Sequence, residues 1–109
     1  MSKKRLGPDA IRAVADRFKV LAEPARLSVL NELCGGARNV SELIEATGLN
    51  QANLSKHLQL LHTHGFVARR RDGLFVIYEL ADRSVMDLCA IMCGQLKRRA
   101  EDQVARLRA

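Results

Sequence analysis

The chain lacks any apolar run of membrane-spanning length, so no membrane helix is expected. Its basic start, Met1-Ser2-Lys3-Lys4-Arg5, is not followed by the apolar core of a signal peptide, and a cytoplasmic location is expected. Cysteine is scarce: there are 3, an odd number without framework spacing, which argues against a secreted disulfide fold. Any role for these cysteines is then metal binding or redox sensing. No internal repeat, low-complexity segment or long linker is present. Equally absent are a Ser-His-Asp order, a phosphate-cradling glycine loop and a His-Glu metal motif, which removes the common enzyme classes. A thiol redox enzyme is the remote remaining case. It would want an exposed cysteine of low pKa near positive charge, whereas Cys89 and Cys93 fall on an apolar stripe.

What is present fits one domain. The 109 residues are 48% hydrophobic, enough for a modest core, although so small a domain buries a limited share of its surface and gains from a partner subunit. Eighteen Lys and Arg against 12 Asp and Glu leave a net charge of +6. That balance favours a polyanion such as nucleic acid; the alternative is a basic but inert surface.

Residues 1–7 are expected to be a flexible N-terminus, with a single domain over 8–109. Pro8 suits the first turn of a helix, where its missing N–H costs nothing, and Ile11, Val14, Ala15, Phe18 and Leu21 follow at helical spacing. Pro24 opens a second helix whose buried side is expected to carry Leu27, Leu30 and Leu33, with Gly35-Gly36 stopping it. Asn39-Val40-Ser41-Glu42 has capping-box spacing, and the short helix it opens ends at Gly48, a residue able to take positive φ. Only Leu49 and Asn50 separate it from a fourth helix over about Gln51–His64. Two helices joined by so short a glycine-containing turn read as helix-turn-helix.

That fourth helix places Leu54, Leu58 and Leu61 on one stripe and Gln51, Asn53, Ser55, Lys56 and His57 elsewhere around it. A helix that packs by one side and carries amide, hydroxyl and ammonium groups on the other suits the major groove, where Gln and Asn pair bidentately with adenine. His57 has two readings: a donor to phosphate, or a half-buried packing or capping residue. His62 and His64 read as solvated or as compensating the helix dipole.

From Phe66 to Leu80 the chain is rich in β-branched and aromatic residues, and Asp72-Gly73 reads as the two-residue turn of a hairpin, with both central residues at positive φ. Arg69, Arg70 and Arg71 near its tip are candidates for phosphate or minor-groove contact; the alternative is a solvated basic edge that discourages sheet aggregation. Alternation along a strand forbids all three from pointing the same way. Asp82 or Ser84 then caps a last helix, expected to reach about Arg106. Val85, Leu88, Cys89, Met92, Cys93 and Leu96 recur along it at helical spacing. The fold class is therefore mainly α with a small β-hairpin, a winged helix-turn-helix in the order α-α-α-α-β-β-α.

At this point the chain resembles the ArsR/SmtB family of small bacterial transcriptional repressors. The resemblance runs from about residue 10 to residue 96. It is carried by Leu21-Ala22-Glu23-Pro24-Ala25-Arg26-Leu27, Val40-Ser41-Glu42-Leu43, Asn53-Leu54-Ser55-Lys56-His57-Leu58-Gln59-Leu60-Leu61, Gly65-Phe66-Val67, Arg70-Arg71-Asp72-Gly73 and Tyr78-Glu79-Leu80-Ala81-Asp82. It implies a homodimer joined through the first and last helices. It also implies a double-stranded DNA operator as partner and release from that operator when an inducer binds.

Cys89 and Cys93 are one helical turn apart, so their Cβ atoms are expected roughly 5–6 Å from each other. Two such thiolates could ligate As(III), Sb(III), Cd(II) or Cu(I), with a third ligand from elsewhere, Cys34 being a candidate; they could equally sense reactive sulfur or an oxidant. The competing reading is packing, since free cysteine behaves as a small hydrophobe, and the input is then a non-thiol inducer or a protein partner. The chain departs from the family's sensor patterns. Val40-Ser41-Glu42-Leu43 stands where arsenite-type members carry Cys-x-Cys. Of the zinc-type ligands Asp82 is kept, but Ser84, Gln95 and Arg98 replace the others. Asn31 holds the position of the second-helix cysteine of persulfide sensors, with Cys34 nearly a turn later. A last alternative is a protein-interaction module that has lost DNA binding.

Overall fold

A computed structural model describes residues 5–108. Five helices and three short strands follow in the order α1 (Pro8–Leu21), α2 (Pro24–Cys34), β1 (Arg38–Asn39), α3 (Val40–Thr47), α4 (Gln51–Thr63), β2 (Val67–Asp72), β3 (Phe75–Leu80) and α5 (Ser84–Arg108). Of the N-terminal segment expected to be flexible, residues 1–4 lie outside the described residues, and 5–7 precede the first helix. Both prolines stand at helix starts as expected.

Local chemistry sets the helix boundaries around the turn between α3 and α4. The Asn39 side chain accepts a 2.8 Å hydrogen bond from the Glu42 amide, and the Glu42 carboxylate accepts one of 2.9 Å from the Asn39 amide. Two backbone donors that the helix start would leave unpaired are thereby satisfied. Gly48 ends α3 at φ 73°, a left-handed conformation that would strain a residue bearing a Cβ. The Thr47 hydroxyl donates to the Leu43 carbonyl and accepts from the Leu49 amide, tying the turn shut.

The core is aliphatic. Val29, Leu30 and Leu33 of α2, Leu43 of α3 and Leu54, Leu58 and Leu61 of α4 are all buried, and Phe66 just before β2, Val67 and Tyr78 of the sheet and Val85 at the start of α5 close it. Each fully buried Leu or Val contributes on the order of 1.5–3 kcal/mol relative to exposure. Leu27, expected on the buried side of α2, is exposed instead, because the underside of that helix is filled by Val29, Leu30 and Leu33.

Two features of the sheet differ from expectation. The hairpin has a third strand: β1 pairs antiparallel with β3, Arg38 opposite Tyr78 and Asn39 opposite Ile77, giving the order β1-β3-β2. Asn39 thus serves the sheet with its backbone and caps α3 with its side chain. The turn also lies one residue further on. Asp72 pairs with Phe75, so the loop is Gly73-Leu74, and Gly73 (φ 62°) is the residue with positive φ. This fits the type II′ arrangement, which wants glycine at the first central position and lets an ordinary residue follow.

α1 and α5 are unlike the other helices. Val20 and Leu21 of α1 and Val85 of α5 are buried, but Ile11, Phe18, Leu88, Met92 and Leu96 are exposed, and Ile91 is 67% exposed. α5 has 25 residues, a rod of about 37 Å at about 1.5 Å per residue. The Cα radius of gyration is 17.2 Å, well above the roughly 13 Å of a compact domain of this length.

Candidate nucleic-acid interface

α4 is anchored on one side and open on the other. Leu54, Leu58 and Leu61 are buried, while Gln51, Asn53, Ser55 and Lys56 are exposed. Gln59, exposed one turn beyond Ser55, extends the same polar surface, a position that sequence reasoning does not single out. The helix start is held by Asn50, whose side chain accepts a 2.8 Å hydrogen bond from the Asn53 amide. The cap satisfies a backbone donor of the first turn, where Gln51 and Asn53 sit, and so stabilises it. The Asn50-to-Asn53 spacing is a legible signal for this cap.

His57 is half-buried. Its Nδ1 lies 3.4 Å from a guanidinium nitrogen of Arg26. Arginine has donors only, so Nδ1 is the acceptor, and the ring proton belongs on Nε2. The Arg26 Nε–H is itself directed at the Val20 carbonyl, so Arg26 ties the end of α1 to α2 and to the side of α4. His64 is half-buried too, with Nδ1 3.0 Å from the Leu60 carbonyl of its own last turn.

At its far end α4 is gripped by α1. Arg17 donates to the His64 carbonyl at 2.8 Å, and its guanidinium carbon stands 4.2 Å from the centre of the Phe66 ring. Nothing in the spacing of the first helix sets Arg17 apart from its other polar positions. A cavity of about 320 Å³ opens beside it, walled by Val14, Phe18, Leu21, Phe66, Val85 and Leu88. At its rim the Asp82 carboxylate is held below the ordinary range, first by the hydrogen bond it accepts from the Ser84 amide, then by the Ser84 side chain, with the positive charge of Arg17 adding to the shift. Asp82 thus satisfies the first amide of α5 from just before the helix.

The three arginines of β2 are all exposed, and the strand divides them. Arg69 stands beside Tyr78 and Arg71 beside Val76, on the sheet face that carries buried Val67; Arg70 stands beside Ile77 on the opposite face. The hairpin thus presents cations to both sides.

The cysteines are not gathered into one site. Cys34, at the end of α2, and Cys89 are half-buried, and Cys93 is exposed. An Arg83 guanidinium nitrogen lies 3.3 Å from the Cys34 carbonyl and 3.9 Å from its sulfur. Among the described residues no three His, Cys, Asp or Glu side chains come together as a metal site. Nor, among them, is any helix long and apolar enough to cross a membrane.

Comparison with known proteins agrees with this architecture. Residues 23–69 match the family described as "Bacterial regulatory protein, arsR family". The chain is 42% identical over 92 residues to the uncharacterized HTH-type transcriptional regulator Rv0081 of Mycobacterium tuberculosis, covering 84% of this chain and 81% of that protein. The crystal structure of Rv0081 superposes with a TM-score of 0.81 at 38% identity, covering 91% of this chain and 99% of the other. A homodimeric winged helix-turn-helix DNA-binding domain of Mycobacterium bovis, Mb0332, superposes with a TM-score of 0.76 at 32% identity over 94% and 95% of the two chains. A probable mercury resistance operon repressor of Streptomyces lividans is 39% identical over 71 residues, 65% of this chain and 57% of its own length. These relatives are regulators rather than enzymes. A polar helix face on buried leucines, a winged sheet and these likenesses converge: the chain belongs to the arsR family of bacterial helix-turn-helix transcriptional regulators, which bind DNA.

Proposed function

We propose that the chain is a homodimeric, sequence-specific repressor that leaves its operator when an inducer reacts with or binds to thiols on α5. The observation that carries the DNA-contact part is the two-sided character of α4: three buried leucines behind, and Gln51, Asn53, Ser55 and Lys56 exposed in front. In this reading Gln51 and Asn53 read base edges from the first turn, and Ser55, Lys56 and the Nε2–H of His57 meet bases or phosphates. Arg69, Arg70 and Arg71 divide between the flanking backbone and the groove.

The dimer is supported by the unpartnered apolar rows of α1 and α5, by the extended shape of a single chain and by the homodimeric domain of Mycobacterium bovis. Two copies joined there would present their α4 helices to half-sites about one turn of DNA apart, a spacing sensitive to small changes in helix angle.

Cys89 and Cys93 share a face of α5 within that surface. With no third donor beside them among the described residues of one chain, they suit an ion content with two thiolates, or one that draws a further ligand from the second copy. As(III), Sb(III), Cd(II) and Cu(I) remain the candidate ions, and the mercury-linked name of the Streptomyces relative adds Hg(II). Reactive sulfur or an oxidant would act on the same pair. Release requires only that the inducer favour the dimer shape that fits DNA poorly. A second reading keeps the regulator but makes the cysteines packing residues, because they continue the row of Leu88, Met92 and Leu96.

The test is a gel-shift titration on the duplex upstream of the chain's own gene, repeated with As(III), Cd(II), Hg(II), Zn(II), persulfide and peroxide. Retention of that duplex over unrelated DNA, and its release by at least one thiophilic species, is expected. Indifference to every such species would favour the packing reading.

A further inference from the structure

We infer that the tip of the hairpin is an apolar probe of the DNA minor groove, with Leu74 as the inserting side chain. The inference rests on α4 contacting DNA as proposed above, and it adds a specificity-determining residue to that contact. Leu74 is 96% exposed, and its neighbour Phe75 is 57% exposed. A lone exposed leucine carries no message. This one occupies half of a two-residue turn, a place where small or polar residues ordinarily serve, and it follows directly on a strand bearing three exposed arginines.

The turn is suited to present a side chain. Gly73 takes the positive φ, the Asp72–Phe75 pair closes the loop, and Leu74 stands at the end of a two-stranded shaft. The cations on both faces of that shaft bring it to the phosphate ladder. An apolar side chain between them gains nothing from phosphate. What it can bury against in a groove is the deoxyribose faces and the edge of a base step. Leucine and phenylalanine wedges between steps are a known means of minor-groove binding.

Six residues of β2 extend the shaft by roughly 17–20 Å at about 3.3 Å per residue, so its tip stands well clear of buried Val67. The minor groove, about 6 Å wide, admits one leucine but no helix. The steps that open most readily to such a wedge are pyrimidine–purine steps, TA and CA/TG. The inserted tip would therefore favour such a step in each flank, at a position α4 never touches.

The experiment is selection of duplexes from a random-sequence 40-base-pair library by the full-length wild-type chain, Leu74→Ala and Leu74→Asp, followed by sequencing of the retained pools. Leu74 touches no core residue, so all three chains should melt alike. The inference expects a core motif in all three pools and a flanking pyrimidine–purine step in the wild-type pool alone, with enrichment at that step falling about fivefold or more in Leu74→Ala. A 2-aminopurine placed at the step should brighten on wild-type binding and stay dim with Leu74→Ala. A core motif without a flank preference, or one that Leu74→Ala keeps, overturns the inference and leaves the tip to solvent or to another protein while the DNA reading stands. Failure of the wild-type chain to select any core motif removes the DNA reading itself, and this inference with it.

Discussion

The Arg17 guanidinium donates a 2.8 Å hydrogen bond to the carbonyl oxygen of His64, joining α1 to the end of α4 across 47 positions of sequence. The same group stacks on Phe66, the first buried residue after α4. A cation at the carbonyl end of a helix also meets the negative end of its dipole. The helix proposed to dimerise and the helix proposed to meet DNA are thereby linked by one side chain. Arg17→Ala should cost about 1–2 kcal/mol of stability, the sum of an exposed charge-assisted hydrogen bond and a cation–π contact. Urea denaturation measures this, and amide exchange at Gly65 and Phe66 should quicken. Unchanged exchange there would show that the grip is incidental.

Charge removal and amide removal should separate cleanly. Lys56→Ala, or alanine at whichever of Arg70 and Arg71 faces the duplex, should weaken binding to all sequences alike and reduce the salt slope by about one for each phosphate no longer neutralised. Gln51→Ala or Asn53→Ala should instead alter which bases are preferred, by roughly 1–3 kcal/mol at the affected position. Fluorescence anisotropy at several salt concentrations measures both. If Arg70→Ala and Arg71→Ala each leave affinity untouched near physiological salt, the hairpin arginines are a solvated edge.

Cys89→Ser and Cys93→Ser should retain DNA affinity and lose release by the thiol-directed inducer. The double variant is the decisive one, because it removes both thiols of α5 at once. Normal release of the double variant by every metal, metalloid and sulfur species would assign both residues to packing.

Asp82 makes the start of α5 sensitive to acid. Its pKa is depressed in the folded chain, chiefly by the Ser84 amide, so the folded state binds fewer protons than the unfolded state near the ordinary carboxylate range. The resulting stability is present in full above about pH 4 and declines as pH falls below it through the depressed folded value. Asp82→Asn should flatten that part of the pH profile in thermal melts and leave the neutral range little changed in slope. An identical acid limb in the variant would place the sensitivity elsewhere.

Much of the fold is legible in the sequence because the signals are local. The Asn39–Glu42 capping box, the glycine at the end of α3 and the prolines opening α1 and α2 each lie within a few residues of what they determine. The hairpin is legible but displaced by one residue. Asp72-Gly73 fits a turn with two positive φ values, and the pairing of Asp72 with Phe75 shows that only the glycine uses one. β1 is not legible, since two residues cannot display alternation and their pairing with β3 joins positions far apart in the chain. Arg17 on the His64 carbonyl and Arg26 against His57 escape for the same reason. The outer rows of α1 and α5 are legible as apolar faces, but spacing alone does not say what covers them, because periodicity reports that a face wants burial and not whether its own chain provides it.

The most direct single measurement is the stoichiometry of the complex, by sedimentation of the chain on the duplex upstream of its own gene with unrelated DNA as competitor. The account predicts two chains on one specific site, surviving competitor that strips away looser binding. One chain per site, or binding that unrelated duplex removes as easily, would contradict it.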